Sequence, residues 1–280
     1  MGVPMSSRLV RAGFRVQAYD VSEDARAAFT RESGAEAVES LAACAAGVRA
    51  VVLMLPSSPI VRAVLLEDGL LEAMPPGSLV ADMGSSEPVQ TRELAEEAAR
   101  RGVELVDAPV SGGVRGAVAG SLAIMFGGSE EQFEVCRPLL GQLGSKVLRA
   151  GPVGAGHALK ALNNVLSATH LLVSAEAIRV GRRFGLDPQL MLDVINAATG
   201  RSYSTEYKLP TFVVPETYDA GFALRLMVKD MKTAVALARA TGTATPLTDG
   251  STELWERAAE VLAEDADHTE IARWLETLDD

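Results

Sequence analysis

Residues 50–55 read Ala-Val-Val-Leu-Met-Leu and are closed at residues 56–59 by Pro-Ser-Ser-Pro. A short, continuous apolar run of this kind, bounded by turn residues, is typical of a strand that is buried on both faces. Similar runs occupy residues 78–83 and 103–110, and a helical pattern at residues 87–101 separates these two runs. Because apolar strands that alternate with helices form a parallel sheet covered on both faces, these three runs predict an α/β fold.

The alternation extends outward from this centre through the first half of the chain. Further strands are predicted at residues 15–19, 122–126 and 146–149, and helices at residues 4–12, 87–101 and 130–140. After residue 150 no strand pattern recurs, and one long helix is predicted over residues 155–183, with shorter helices behind it. We therefore predict two domains, a Rossmann-like, doubly wound α/β domain at residues 1–150 and an all-helical domain at residues 151–280.

Composition and charge exclude several classes of protein. The chain has 26 Lys and Arg against 37 Asp and Glu, so its net charge is −11 and its field repels nucleic acid. Its longest apolar runs are too short to cross a bilayer, and its three histidines and two cysteines show no metal-ligand spacing. Cys44 and Cys136 are expected to be buried thiols of a reducing compartment, which predicts a cytoplasmic protein.

Two predicted strand ends carry polar residues that could bind a nucleotide. Asp20 follows the strand at residues 15–19, where a carboxylate of a dinucleotide-binding fold accepts ribose hydroxyls and repels a 2′-phosphate. Ser85 follows the strand at residues 78–83 and could bind a ligand at the same edge of the sheet. Both residues have a simpler alternative, because Asp and Ser also serve as turn residues and helix caps.

A third strand end reads Asp-Ala-Pro-Val-Ser-Gly-Gly at residues 107–113. Ser111 offers a hydroxyl, and Gly112 and Gly113 offer unhindered N–H groups, which together suit a carboxylate. The glycine-bearing segment that runs on to Gly120 favours a functional loop over a plain flexible turn.

The long helix contains the most informative residues. Lys160 and Asn164 are four positions apart and so share one face of a helix whose other residues are apolar nearly all round. Such a helix is expected to be buried, and a partly desolvated lysine can act as general acid or base, whereas an ordinary helical lysine is a solvated surface charge. Lys229 and Asp230 lie on a later helix and are either a second functional pair or an ordinary helix face.

Four motifs together resemble those of the 3-hydroxyisobutyrate dehydrogenase family of β-hydroxyacid dehydrogenases, in the same order and over nearly the whole chain. They are the end of its G-x-G-x-M-G-x-P-M fingerprint at Met1–Met5, its substrate signature at Asp107–Gly113 with Gly116 and Gly120, its catalytic helix at Gly154–Asn164 and its C-terminal Lys229-Asp230.

This resemblance implies an NAD(P)-dependent enzyme that interconverts a small β-hydroxyacid and its semialdehyde or keto acid, with a substrate like 3-hydroxyisobutyrate or tartronate semialdehyde. Lys160 would be the general acid/base at the hydroxyl, and Asn164 would position the substrate and the lysine. The substrate carboxylate would be bound by Ser111, Gly112 and Gly113, with Lys229 close to both substrate and nicotinamide. The family also implies a homodimer or homotetramer formed through the helical domain.

The cofactor implied by the resemblance is NAD, with NADP the less favoured choice because Asp20 has no arginine directly after it. The residues implied to bind the cofactor are Gly2, Met5, Asp20, Leu55, Pro56, Ser85 and Lys229, and no metal is implied. The chain has Gly84-Ser85 where the family often has Ser-Thr.

The fingerprint at Met1–Met5 lacks its first half. We therefore expect a strand and a glycine turn of about 10–14 residues to be missing before Met1. Without them we expect weak NAD binding and an inactive or unstable protein, because the glycine turn brings the backbone to the diphosphate.

Two alternatives remain open at this point. One is an imine reductase of the same superfamily, although these enzymes usually lack a lysine at the position of Lys160. The other is a non-catalytic dinucleotide-binding or scaffold protein.

Overall fold

The first 160 residues contain a six-stranded sheet, and the described residues that follow them form helices joined by loops, with an isolated β-bridge between Ala223 and Asp267. The structure is a computed structural model that describes residues 1–279. The chain forms two structural units, Met1–Lys160 and Ala161–Asp280.

The first unit alternates strands and helices, as the sequence predicted. Its strands are β1 (Ala50–Leu53), β2 (Leu79–Asp82), β3 (Glu104–Asp107), β4 (Val110–Ser111), β5 (Leu122–Gly127) and β6 (Gly144–Gly151). Its helices are α1 (Gly2–Arg11), α2 (Glu23–Ser33), α3 (Leu41–Ala45), α4 (Ser58–Arg62), α5 (Leu70–Ala73), α6 (Pro88–Arg100), α7 (Gly113–Ala119) and α8 (Glu130–Leu143), with a π-helical turn at Ala63–Glu67. Helix α9 (Ala155–Phe184) begins in this unit and continues into the second.

The sheet is parallel over its first three strands and reverses after them. Strands β1, β2 and β3 pair in parallel in that order, whereas β5 is antiparallel to β3 and β4, and β6 is parallel to β5. The sequence predicted an entirely parallel sheet. The connection from β4 to β5 is only the seven-residue helix α7 and its turns, and a connection of that length is too short for a parallel crossover.

Helices cover both faces of the sheet. Leu79 and Ala81 of β2 face a core that includes Met5 of α1 and Leu140 of α8. Val80, between them in sequence, faces a separate core formed with helices α3 to α6. All four residues of β2 are buried, which explains its continuous apolar sequence.

The strand predicted at residues 15–19 is wrong. None of the strands in residues 1–279 pairs with this segment, so its polar groups bind elsewhere. The carbonyl of Ala18 accepts from the N–H of Val38 at 2.9 Å, and the Gln17 side chain donates to the carbonyl of Ala43 at 3.1 Å.

The second unit consists of helices around an apolar core. After α9 come α10 (Pro188–Ala197), a π-helix at Ser204–Val213, α11 (Leu224–Ala240), α12 (Pro246–Val261), α13 (Ile271–Glu276) and 3₁₀ turns at His268–Glu270 and Thr277–Asp279. Trp255 and Trp274 are buried in the core of this unit. No helix within residues 1–279 is long and apolar enough to span a membrane.

Candidate active site

Asp107 ends strand β3 and holds the start of helix α9. Its buried carboxylate accepts hydrogen bonds from the backbone N–H groups of Gly154 and His157, each at 2.7 Å. The N–H groups at the start of a helix have no partner within the helix, and that end carries the positive pole of the helix dipole. Asp107 therefore fixes the position at which α9 begins.

Two glycines make room for this contact. A Cβ atom on Gly127 would overlap with the carboxylate of Asp107, and a Cβ atom on Gly156 would overlap with the carbonyl oxygen of Met125. Burial raises the pKa of Asp107 above its ordinary value, against the opposing effects of His157 and of the backbone donors. The close packing of β5 and α9 on the carboxylate thus has an electrostatic cost.

His157 links α9 to two other elements of the first unit. Its Nδ1 lies 2.8 Å from Oγ1 of Thr91 on α6, and its Nε2 lies 3.8 Å from the carboxylate of Asp82 at the end of β2. Asp82 in turn accepts from the N–H of Gly84 at 2.9 Å and from the hydroxyl of Ser86 at 2.6 Å. The first turn of α9 is therefore held from three sides.

Lys160 lies one turn further along α9, three residues after His157. It is 8% exposed, in agreement with the burial predicted from its apolar surroundings. The expectation that the whole helix is buried is wrong, because Leu162 and Leu166 are 46% and 58% exposed. One face of α9 is therefore apolar and open, while Lys160 lies on a covered face.

In the second unit, Asn164 and Lys229 meet at one carboxylate. Nδ2 of Asn164 donates to Asp230 at 2.6 Å, and Nζ of Lys229 lies 3.0 Å from the other oxygen of Asp230. Asn164 and Asp230 are both buried. Asp230 therefore fixes the direction of the Asn164 amide and keeps the ammonium group of Lys229 next to it.

The Ser-Gly-Gly segment leads into a helix and not into the functional loop that the sequence predicted. Ser111 ends β4 and is half-buried, and Gly112 and Gly113, which follow it, are exposed with φ values of +127° and +62°. Gly116 packs against Leu122, and Gly120 ends α7 in the left-handed conformation. The glycines are explained by this tight helix and its turns, and the hydroxyl and N–H groups at its start are at the surface.

Two features of the first unit fit a dinucleotide. Helix α1 begins at Gly2 without a side chain that caps its first N–H groups, and a Cβ atom there would meet no atom within 4 Å. Asp20 is exposed, and its carboxylate accepts from the N–H of Ser22 at 2.9 Å. Uncapped helical N–H groups suit a diphosphate, and an exposed carboxylate suits ribose hydroxyls. The Met5 side chain, by contrast, lies in the core.

The ends of β1 and β2 approach each other closely. A Cβ atom on Gly84 would lie 2.7 Å from the carbonyl oxygen of Leu55, so only glycine fits beside it. Pro56 is exposed, and Leu55 and Ser85 are half-buried. The structure thus places Leu55, Pro56 and Ser85 at the carboxyl edge of the parallel strands, where open α/β sheets bind ligands.

Two family models match adjacent parts of the chain. The NAD-binding domain of 6-phosphogluconate dehydrogenase matches residues 1–151, and the NAD-binding domain of NADP-dependent 3-hydroxyisobutyrate dehydrogenase matches residues 154–275. The 3-hydroxyisobutyrate dehydrogenase of Pseudomonas aeruginosa is 37% identical over 88% of this chain and 85% of that enzyme. The chain belongs to the 3-hydroxyisobutyrate dehydrogenase family. The predicted activity, NAD(P)-dependent dehydrogenation of a small hydroxyacid, is thereby confirmed at the level of the family.

Two further relatives in this family agree with that assignment. The 2-(hydroxymethyl)glutarate dehydrogenase of Eubacterium barkeri is 37% identical over 91% of this chain and 85% of that enzyme. The structure of Mycobacterium tuberculosis 3-hydroxyisobutyrate dehydrogenase with L-serine superposes with a TM-score of 0.92 at 32% identity, covering 98% of this chain and 95% of that one. An imine reductase from Streptomyces aurantiacus has a TM-score of 0.65 at 18% identity, which shows a shared fold alone.

Sequence reasoning missed several buried polar residues of the 3-hydroxyisobutyrate dehydrogenase fold. The sequence patterns indicated no role for Asp107, which begins the motif at residues 107–113, and none for Asp82 or Thr91. Lys208 is also buried, and it lies on a π-helix that the sequence did not predict. A polar residue at the end of an apolar strand is the only signal that could have indicated Asp82 and Asp107.

Proposed function

We propose that this protein uses NAD to oxidise the hydroxyl group of a small β-hydroxyacid, or catalyses the reverse reduction. The observation that carries the proposal is Lys160, a buried lysine held in place by the capped first turn of α9 in a chain of this family. The compounds named for the relatives, 3-hydroxyisobutyrate, L-serine and 2-(hydroxymethyl)glutarate, share a hydroxymethyl group next to a carbon that bears a carboxylate. We expect that unit in the substrate.

Lys160 is the proposed general base in the direction of oxidation. It accepts the proton of the substrate hydroxyl, and in the reverse direction it returns that proton. NAD, when bound, supplies the hydride acceptor. Asn164, whose amide is oriented by Asp230, positions the hydroxyl group.

Binding of the substrate carboxylate is assigned to the start of α7. Ser111 offers its hydroxyl, and Gly112 and Gly113 offer N–H groups that no side chain shields. Lys229 supplies a positive charge, which its ion pair with Asp230 holds in one orientation.

Cofactor binding is assigned to Gly2 at the start of α1, to Asp20 and to the strand ends at Leu55, Pro56 and Ser85. NAD is preferred over NADP because the exposed carboxylate of Asp20 repels a 2′-phosphate. Arg26, the nearest basic side chain in sequence, donates to the carbonyl oxygen of Asp20 at 2.7 Å and so lies beside this position. A higher kcat/KM with NADP than with NAD would show that Arg26 outweighs Asp20.

The direct test is an assay of NADH formation, followed by the absorbance of the reduced cofactor. The full chain is incubated with NAD and, in turn, 3-hydroxyisobutyrate, L-serine and 2-(hydroxymethyl)glutarate. In a preparation that thermal shift shows to bind NAD, activity with at least one of them is expected, and none with the matching acids that lack the hydroxyl group. Absence of NADH with all three, in a preparation shown by thermal shift to bind NAD, would contradict the proposal.

The exposed apolar face of α9 is assigned to self-association into a homodimer or homotetramer. Leu162, Leu166, Val173, Val180 and Phe184 are between 46% and 84% exposed and follow a spacing of four and seven residues, which places them on one stripe. The same stripe on a second copy of the chain can pack against it, because regularly spaced apolar residues on two helices interlock. Analytical ultracentrifugation of Val180→Glu is expected to show a smaller species than the parent protein. An unchanged sedimentation coefficient would argue against this face.

A cytoplasmic location is also part of the proposal. Cys44 and Cys136 are free thiols, and burial together with the nearby Glu104 raises the pKa of Cys136 to about 11. A protonated, buried thiol of this kind is a packing residue of a reducing compartment. Fractionation of cells that express the tagged protein tests the assignment.

A further inference from the structure

The second unit buries a lysine that the proposed chemistry does not use. Lys208 lies on the π-helix at Ser204–Val213 and is 6% exposed. Its Nζ donates a hydrogen bond to the hydroxyl of Ser167 on α9 at 2.8 Å. π-Helical turns are uncommon and are frequent at functional sites, because they shift side chains away from their α-helical positions.

The hydrogen bond to Ser167 places the ammonium group of Lys208 on the functional face of α9. Ser167 follows Asn164 by three residues, so the two side chains share a face and their Cα atoms are about 4.5 Å apart along the axis. Helical side chains lean towards the N-terminus, so the Ser167 hydroxyl lies over the turn that carries Asn164. The positive charge of Lys208 therefore lies next to the residue that is assigned to position the substrate hydroxyl.

The residues around this charge are buried. Ser204, Thr205 and Leu209 on the same π-helix are buried, as is His268. Burial lowers the pKa of His268, and the nearby charge of Lys208 acts in the same direction. An anion that reaches such a group is attracted more strongly than it would be at the surface.

We propose that Lys208 binds a second acidic group of the substrate, and that the preferred substrates are hydroxyacids with two acidic groups. The inference rests on the proposed function, in which the first carboxylate is bound at Ser111, Gly112 and Gly113. Ser167 lies about one helical turn after Asn164, so the second acidic group lies about one turn from the residue that is assigned to position the substrate hydroxyl. A glutarate with a hydroxymethyl group has this pattern, whereas 3-hydroxyisobutyrate carries a methyl group in place of the acidic arm.

The test compares a diacid with a monoacid in the full chain. We measure kcat/KM with NAD for 2-(hydroxymethyl)glutarate and for 3-hydroxyisobutyrate in the parent protein, in Lys208→Met and in Lys208→Arg. The parent is expected to prefer the diacid. In Lys208→Met the ratio of the two kcat/KM values should fall by at least about 30-fold through the KM of the diacid, the low end for loss of a buried charge pair. Lys208→Arg should restore part of the preference.

Two controls separate recognition from folding. Lys232→Met removes an exposed lysine of α11, paired with Glu256, and should leave the ratio unchanged. Ser167→Ala removes the hydroxyl partner but keeps the charge, and should lower the ratio much less than Lys208→Met. Equal losses for both substrates in Lys208→Met would show that Lys208 only holds the π-helix on α9 and would overturn the inference.

Failure of the inference and failure of the proposed function give different results. Oxidation of the monoacid with no preference for the diacid overturns the inference and leaves the proposed function intact. If neither compound nor L-serine is oxidised by a preparation that binds NAD, the proposed function fails, and thermal shift with glutarate and isobutyrate still tests Lys208. Stabilisation by glutarate alone, lost in Lys208→Met, would support the site, and equal shifts with both acids would overturn it.

Discussion

Two buried carboxylates act on helix α9 in different ways. Asp107, in the first unit, accepts hydrogen bonds from the backbone N–H groups of Gly154 and His157, whereas Asp230, in the second unit, binds the side chains of Asn164 and Lys229. Backbone contacts fix where the helix begins, and side-chain contacts fix where two functional groups point. The comparison shows two separate kinds of contact to α9, one to its main chain and one to its side chains.

Lys160 lies in sequence between Asp107 and Asp230, and its removal is expected to have the largest effect on turnover. Lys160→Ala should lower kcat by roughly 10²–10⁴, the usual contribution of a general acid–base group. The Kd for NAD, measured by fluorescence titration, should barely change. Lys232→Ala is the matched control, because that lysine is exposed on a helix of the second unit. Near-normal turnover of Lys160→Ala would show that Lys160 is not the general acid–base group.

Loss of the contacts between Asp107 and the main chain of α9 is expected to have the next largest effect on turnover. Asp107→Asn leaves one acceptor oxygen for two N–H groups, so kcat should fall by about 10- to 100-fold as Lys160 is displaced. The free energy of unfolding should fall by about 1.5–3 kcal/mol.

Asp82→Asn is the matched comparison for that change, since Asp82 also ends a buried strand and binds Gly84 and Ser86 in its own loop, and it reaches α9 only at 3.8 Å from His157. It should lower stability with a smaller loss of kcat. The pH dependence of kcat gives a second measurement: burial raises the pKa of Asp107, so the parent should lose turnover as the pH falls towards that raised value. This loss of kcat at low pH should be absent in Asp107→Asn.

Loss of the contacts between Asp230 and the side chains of Asn164 and Lys229 should have a smaller effect on turnover. Asp230→Asn keeps an oxygen that can accept from Asn164 but loses the charge that faces Lys229. We expect a higher KM, a drop in kcat/KM smaller than that of Asp107→Asn, and a fall in unfolding free energy of about 0.5–1.5 kcal/mol. A larger loss of kcat than in Asp107→Asn, from parallel steady-state assays, would reverse the ranking of the two carboxylates.

A third carboxylate should affect stability with the least effect on turnover. Asp267 accepts hydrogen bonds from the N–H groups of Gly221, Phe222 and Thr269. Burial opposes ionisation, but hydrogen bonds from His268 and Thr269 hold the pKa of Asp267 well below its ordinary value of 3.8.

Since its pKa in the folded state is lowered, Asp267 contributes stability that is complete above pH 3.8 and is lost as the pH falls below that value. The difference in unfolding free energy between the parent and Asp267→Asn should therefore be constant near neutral pH and shrink in acid. Urea titrations between neutral pH and pH 3 measure it. A difference that grows in acid would have the opposite sign and would contradict the assignment.

The sequence predicted the order of elements well where the pattern is local. The apolar runs at β1, β2 and β3 and the helix predicted at residues 87–101 are determined by neighbouring residues, and the structure confirms them. Lys160 and Asn164 could be singled out for the same reason, because a helix with a single polar face shows itself in the spacing of its own residues.

Tertiary structure alone decided what holds those residues in place. Asp107 binds a residue 47 positions away, and Asn164 binds one 66 positions away, so no local period relates them. The strand predicted at residues 15–19 failed because a strand exists only with a partner, and α7 was taken for a loop because its glycines were interpreted without Leu122, against which Gly116 packs. Helical periodicity can be read from residues that are close together in the sequence. Strand pairing, close glycine contacts and buried hydrogen bonds depend on residues that meet only after the chain has folded.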